Sequence, residues 1–269
     1  MPREKTGGGS LAEDGEPREP FEGIPARGFT LLKQLAEHNE PGWVRENGDR
    51  LFAALRDPFV LYLDDTTRRL AVEGIELQGG RGTLFRMHRD RRFARDARPL
   101  HEHVEAVFSQ NGRRIGSRAA IHVRLDVRGG FLAAGSFLQP SAATRALRES
   151  MVARERTFLR LARDLEGASA PLTSESSLAR APRGFQDAAE GRLGPYLRMR
   201  EPRALMPLDR AAWRTGDVVE RTVEFARLTR RWGMFQREAL ADVPDVVARP
   251  PKAPPKSSPG PTRRVPGRR

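Results

Sequence analysis

RAAIHVRLDV, residues 118–127, places Ile121, Val123, Leu125 and Val127 in alternation with His122, Arg124 and Asp126. Successive side chains of a strand point to opposite faces, so one face of this segment rests on a core and the other meets water or a cleft. Working outward, Arg69–Leu77, Thr83–His88, His103–Gln110 and Gly130–Leu138 also read as strands, separated by glycine-bearing turns. Short loops between successive strands imply an antiparallel meander. Upstream, Phe29, Leu32, Leu35 and Ala36 recur at helical spacing, and Leu51, Phe52 and Leu55 repeat the pattern beyond the Pro41-Gly42 turn. Downstream, Pro140 stops the last strand, and Leu147, Met151, Phe158, Leu161 and Leu165 predict one long helix ending at Gly167. A final helix over about 217–240 carries Phe225, Leu228, Trp232 and Phe235 on one face. A helix pair, then a sheet of about five strands, then helices is an α+β order.

The 269 residues include 48 Lys plus Arg against 35 Asp plus Glu, a formal charge of +13, and no cysteine, which excludes disulfides, thiolate metal sites and cysteine nucleophiles. Residues 249–269 hold seven basic side chains, seven prolines and no acid, whereas residues 1–20 carry −2, leaving +8 in between. Such ends bury too little apolar surface to offset ordering entropy. We therefore expect one domain over 21–245 between disordered tails at 1–20 and 246–269. The longest apolar runs, near Phe59–Leu63 and Phe131–Leu138, fall far short of the roughly 20 residues a membrane helix needs. With no signal-like segment near Met1, the expectation is a cytoplasmic protein without a membrane partner. Only four basic residues are lysines, and Lys33 alone lies in the domain, so lysine chemistry has little to draw on.

The segment richest in chemistry is LFRMHRDRRFARDARPLHEH, residues 84–103. It crowds Arg86, Arg89, Arg91, Arg92, Arg95 and Arg98 around Asp90 and Asp96. Guanidinium groups at this density repel one another unless carboxylates or a bound anion balance them, and their planar forks suit phosphate or carboxylate. Two readings follow. Either Arg86, Arg89 and Arg92, joined by Arg183, form a ligand-binding anion site, or Asp90 and Asp96 pair internally with the arginines to brace an irregular loop. If the domain catalyses a reaction, Asp90 or Asp96 is the proton-transfer candidate, with arginines stabilising developing negative charge.

Within this segment Phe85-Arg86, Arg89-Asp90, Arg92-Phe93, Asp96 and Pro99 resemble the signature of the bacterial and fungal family called domain of unknown function 2461. Phe29 to Asn39 with Trp43 is similar to its opening helix and turn. Gly135–Pro140 with Leu147 and Arg148 is similar to its strand-to-helix corner, and Pro182-Arg183-Gly184-Phe185 to its later loop motif. The resemblance spans about 28–240. Ala97, Leu100, His101 and Val44 depart from the lysine, tyrosine, lysine and aromatic residue usual in the family. The resemblance implies an α+β domain and names no activity.

Other motifs are weaker. His101 and His103 could share a strand face, with His88 and His122 nearby, but no HExxH or carboxylate-triad spacing accompanies them, and no metal is expected. Gly79, Gly80 and Gly82 form a GGRG turn lacking the helix start and Lys-Ser/Thr pair of a phosphate cradle, and Ser109, Ser117 and Ser136 lack a nucleophile-elbow context. No cofactor is expected. The functional expectation is a domain that binds a small anionic ligand. The alternatives are nucleic-acid association through the basic Arg/Pro tail and a noncatalytic interaction module docking through that tail.

Overall fold

A computed structural model of the chain describes residues 20–90, 98–114, 118–137 and 141–243. Helix α1, Ala26–Glu37, buries Phe29, Leu32 and Leu35, and α2, Pro41–Val72, follows after a turn with proline at its start, where a missing N–H costs nothing. The three meander strands are β1, His103–Ser109, β2, Ala120–Asp126, and β3, Phe131–Gly135. Helices α3, Ser141–Ala153, and α4, Glu155–Gly167, lead to a two-residue strand β4, Leu172–Thr173. A short helix α5, Gly194–Arg198, precedes β5, Arg203–Pro207, and the chain continues through α6, Arg210–Thr215, and α7, Val218–Ala239. All pairings are antiparallel, in the order β1-β2-β3-β5-β4. The expected α+β class and five-stranded sheet are present.

The strand alternation translates directly into layers. Val104, Ala106 and Phe108 of β1, Ile121, Val123 and Leu125 of β2, and Leu132 and Ala134 of β3 are all buried toward the helices. At the centre Tyr62 packs against Phe59, Phe108 and Trp213 with ring centroids 5.0–5.9 Å apart, and its hydroxyl meets Thr222 Oγ1 at 2.8 Å. Burial pushes that phenol far above its ordinary value, with Thr222 and Thr66 opposing. Trp232, fully buried on α7, donates from Nε1 to the Ala134 carbonyl at 3.0 Å and pins this helix to the sheet. Gly130 makes the β2–β3 turn possible: its φ is +99° and a Cβ there would sit 2.0 Å from the Arg124 carbonyl oxygen.

Three local expectations give way. Residues 69–72 continue α2 instead of starting a strand, because Leu63, Thr66 and Leu70 extend its buried stripe, and Gly74, with φ +66°, then ends the helix. The expected strand at 83–88 is an interrupted edge segment. Residues 78–84 touch β1 through single bridges, Gln78 to Ser109 and Leu84 to Ala106, while the GGRG residues bulge out between them and form most of a one-turn 3-10 helix, Arg81–Thr83. The long helix ending at Gly167 is two helices, broken at Arg154, whose φ of −119° and ψ of 38° leave the helical region. Strands β4 and β5, too short to alternate visibly, complete the sheet in place of the segments at 69–77 and 83–88.

Candidate functional site

The register of β1 and β2 decides which polar side chains meet. His103 opposes Asp126, Glu105 opposes Arg124 and Val107 opposes His122. Because one residue alternates with the next, these side chains all stand on the face away from the helices. Every described contact of His103, Glu105, His122 and Arg124 comes from the sheet or its flanking loops.

Glu105 is the centre of this face. Its side chain is 15% exposed, its Oε1 accepts from Arg124 through both Nε and a terminal guanidinium nitrogen, and His103 Nε2 lies 3.1 Å away. His122 Nε2 stands 3.5 Å from Oε2, too long for a good hydrogen bond, and neither ring nitrogen has a hydrogen-bond partner among the described residues. Burial by itself would raise the Glu105 carboxyl, but the opposing influence of His122, His103 and Arg124 holds it down to about 2. His103 moves the other way from a normal imidazole: burial, reinforced by Arg124 and His101 and resisted by Glu105 and Asp126, lowers it to about 4. His101, with its ring 5.2 Å from that of His103, is lowered as well, by burial and then by Arg89. At neutral pH both imidazoles are therefore uncharged, and the carboxylate is matched by the Arg124 guanidinium.

Aromatic rings wall this cluster. Phe85, Phe131 and Phe137 approach His122 edge-on at 6.0, 5.8 and 5.3 Å. Arg124 lies over Phe131 and Arg203 over Phe137, each 5.0 Å from the ring centroid. Arg203 also pairs with Glu175 and Glu201, so the β5 end of the face is bound up in its own ion pairs.

The Arg/Asp segment borders the same face at the β1 edge. Its neck is closed by Arg89 N–H donating to the Pro99 carbonyl at 2.9 Å and His101 N–H donating to Met87 at 2.7 Å. Asn39, from the α1–α2 turn, clamps it further: Nδ2 donates to the Leu100 carbonyl at 2.8 Å, and Oδ1 accepts from the Leu100 amide at 3.2 Å. Arg86 and Asp90 are exposed and Arg89 is half-buried, with neither Arg89 nor Asp90 lacking a partner. Arg92 and Asp96 lie outside the described residues. Arg183 stands exposed in a separate turn where Gly184 has φ +88° and open space around it, while the neighbouring Phe185 is buried. The structure thus brings Arg89 close to His101 and leaves Arg183 without an ion pair or side-chain hydrogen bond among the described residues.

Several residues that carried the resemblance hold the fold together. Arg148 donates to the Leu197 and Met199 carbonyls at 2.9 Å each, and Ser136 donates to the Arg118 carbonyl. Nothing in the sequence singles out Glu105 and Arg124 as a site, because they are 19 residues apart and only the strand register unites them. Among the described residues, no group of three or more His, Cys, Asp or Glu is placed to hold a metal ion, and no helix is long and apolar enough to cross a membrane.

Fold and site together define an α+β domain with helices on one side of an antiparallel sheet and a Glu–His–Arg cluster on the other. The chain belongs to the family described as conserved hypothetical protein, DUF2461, whose model matches residues 27–235. No curated protein and no solved structure matches it.

Proposed function

We propose that the domain binds a small anionic ligand, phosphate- or carboxylate-bearing, where the edge segment meets the open face of the sheet. The observation that carries this reading is the placement of two adjacent, uncharged imidazoles, His101 and His103, within the electrostatic influence of Arg89 and Arg124. The Arg89 and Arg124 charges, which add to burial in holding the histidines neutral, favour an anion in the same place, and neutral imidazoles can still donate hydrogen bonds to it. Arg86 and Arg89 supply the guanidinium groups, with Arg92 and Arg183 as further ligand contacts, and Phe85 and Phe131 give an apolar wall for the rest of the ligand. If the bound molecule reacts, Asp90 and Asp96 remain the proton-transfer candidates and Glu105, matched by Arg124, serves to orient His103.

Thermal-shift measurement against inorganic phosphate, citrate, nucleotides and sugar phosphates tests the proposal. Stabilisation by an anion that is lost in Arg89→Ala is the expected result. No response to any anion, or an unchanged response in Arg89→Ala, removes the proposal.

A second reading rests on the tail, where residues 249–269 include seven basic residues and no acidic one. Nucleic-acid association through it predicts affinity that falls steeply with salt and disappears when the chain ends at Ala248, whereas small-anion binding survives that truncation.

A further inference from the structure

A cavity unrelated to the Glu105 face lies between α7 and the ends of β2 and β3 and has a volume of about 240 Å³. It exists because the residues that face each other there are small: Ala134 on β3 and Ala226 and Gly233 on α7. A Cβ on Gly233 would meet Arg237 at 3.4 Å and the Ala119 Cβ at 3.7 Å, so space for a larger side chain is available and the chain leaves it open. Glycine inside a helix is unfavourable relative to alanine, so its presence here opposes helix stability.

Gln236 lines this cavity, one helical turn beyond Trp232. It is 1% exposed, yet neither Oε1 nor Nε2 has a hydrogen-bond partner among the described residues. A buried amide with both its donor and its acceptor unmatched is rare, because such groups lose their hydration without replacement. The mouth carries Arg230 and half-buried Arg237, neither of them in an ion pair among the described residues, with exposed Glu76 on the opposite lip.

We propose that this cavity is a binding site for a small molecule that presents a cis-amide edge, such as a lactam, ureide or nucleobase, together with an anionic group. The coplanar carbonyl and NH₂ of Gln236 match an adjacent N–H and C=O in a two-hydrogen-bond pair, the geometry by which glutamine reads a base edge. Arg237 and Arg230 then meet the anionic group at the mouth, and Glu76 disfavours a second negative charge. The volume lies just under the roughly 300–1,000 Å³ of sites for drug-sized ligands, which limits the occupant to a single small ring with its substituent.

Ligand-observed saturation-transfer NMR with the full chain and three probes tests this. Uracil presents the edge alone, orotate the edge with a carboxylate, and benzoate a carboxylate on a ring without the edge. Orotate is expected to bind most tightly, uracil more weakly and benzoate least. Gln236→Leu is expected to weaken orotate at least tenfold while raising the thermal midpoint of the free protein by at least about 2 °C, since it removes an unmatched buried amide. Arg237→Ala is expected to weaken orotate and leave uracil unchanged. Absence of binding by all three probes, benzoate binding as tightly as orotate, or Gln236→Leu binding orotate like the wild type overturns the proposal. Should Gln236→Leu fail to fold, Gly233→Val, which fills the cavity without touching the amide, decides the question by the same loss or retention of orotate.

Discussion

Replacing Glu105 with glutamine keeps the shape of the side chain and removes the charge on which the open sheet face is organised. In the folded protein the carboxyl lies at about 2 against an ordinary 4.5. At 1.36 kcal/mol per tenfold change in acidity, that difference corresponds to about 3 kcal/mol in favour of the ionised form. The folded value is depressed, so this contribution is complete above the unfolded value of 4.5 and is lost as pH falls toward 2. His103 adds acid sensitivity at higher pH: its folded value of about 4 is below the ordinary 6.5, the unfolded chain takes up the proton first, and stability declines as pH drops through that interval. In Glu105→Gln, the Arg124 side chain, 30% exposed, can turn toward solvent and keep its contact with Phe131. Part of the depression comes from His103 as a cation, which is uncharged at neutral pH, so the expected loss there is about 1–2 kcal/mol, below the range for breaking a fully buried pair. That corresponds to a fall in Tm of about 2–8 °C for a domain of this size. Urea unfolding at pH 7.5, 5.5 and 3.5 measures both parts. The variant is expected to be less stable at pH 7.5 and to lose less between pH 5.5 and 3.5 than the wild type. A variant within about 0.5 kcal/mol of wild type at pH 7.5, or one with an unaltered acid slope, refutes the reasoning.

Three other outcomes follow from the geometry. Gly130→Ala forces a Cβ to within 2.0 Å of the Arg124 carbonyl at a φ of +99°, and a loss of more than about 3 kcal/mol is expected, read as a lowered melting transition or insoluble expression. Asn39→Ala removes both hydrogen bonds to the Leu100 backbone, and about 2 kcal/mol of stability should go with them, together with part of any anion response, measured by thermal shift with and without phosphate. Tyr62→Phe removes a buried hydroxyl whose partner, Thr222 Oγ1, keeps its bond to the Val218 carbonyl; chemical denaturation should show a cost of only about 1 kcal/mol.

The strands that can be read from sequence are those whose two faces differ in chemistry. Residues 121–126 alternate without exception, and β2 occupies Ala120–Asp126. Residues 69–77 contain an equally plausible short alternation, but the stripe of Leu63, Thr66 and Leu70 continues a helix already two dozen residues long, and a helix in progress gains one hydrogen bond for each residue added. Strand β5 has no pattern to betray it, since its place is set by Leu132, Ala133 and Ala134 offering β3's free edge. The Arg/Asp segment stands out in the sequence because charge density is a local property. The Glu105 cluster does not, because a carboxylate and a guanidinium 19 residues apart become neighbours only through a register that side-chain packing fixes. Gln236 did leave a trace: it falls one turn after Trp232 on a buried stripe whose other polar members, Thr222 and Thr229, satisfy themselves on the helix backbone.

The two margins of the sheet have a consequence for how molecules of this protein meet one another. On one side the final strand is only two residues long, and on the other the bordering segment touches β1 at isolated bridges with a bulge between them. Neither margin offers the straight ladder of free amides and carbonyls on which a neighbouring chain could stack and propagate. Concentrated solutions are thus protected against strand-by-strand fibre growth from the native state.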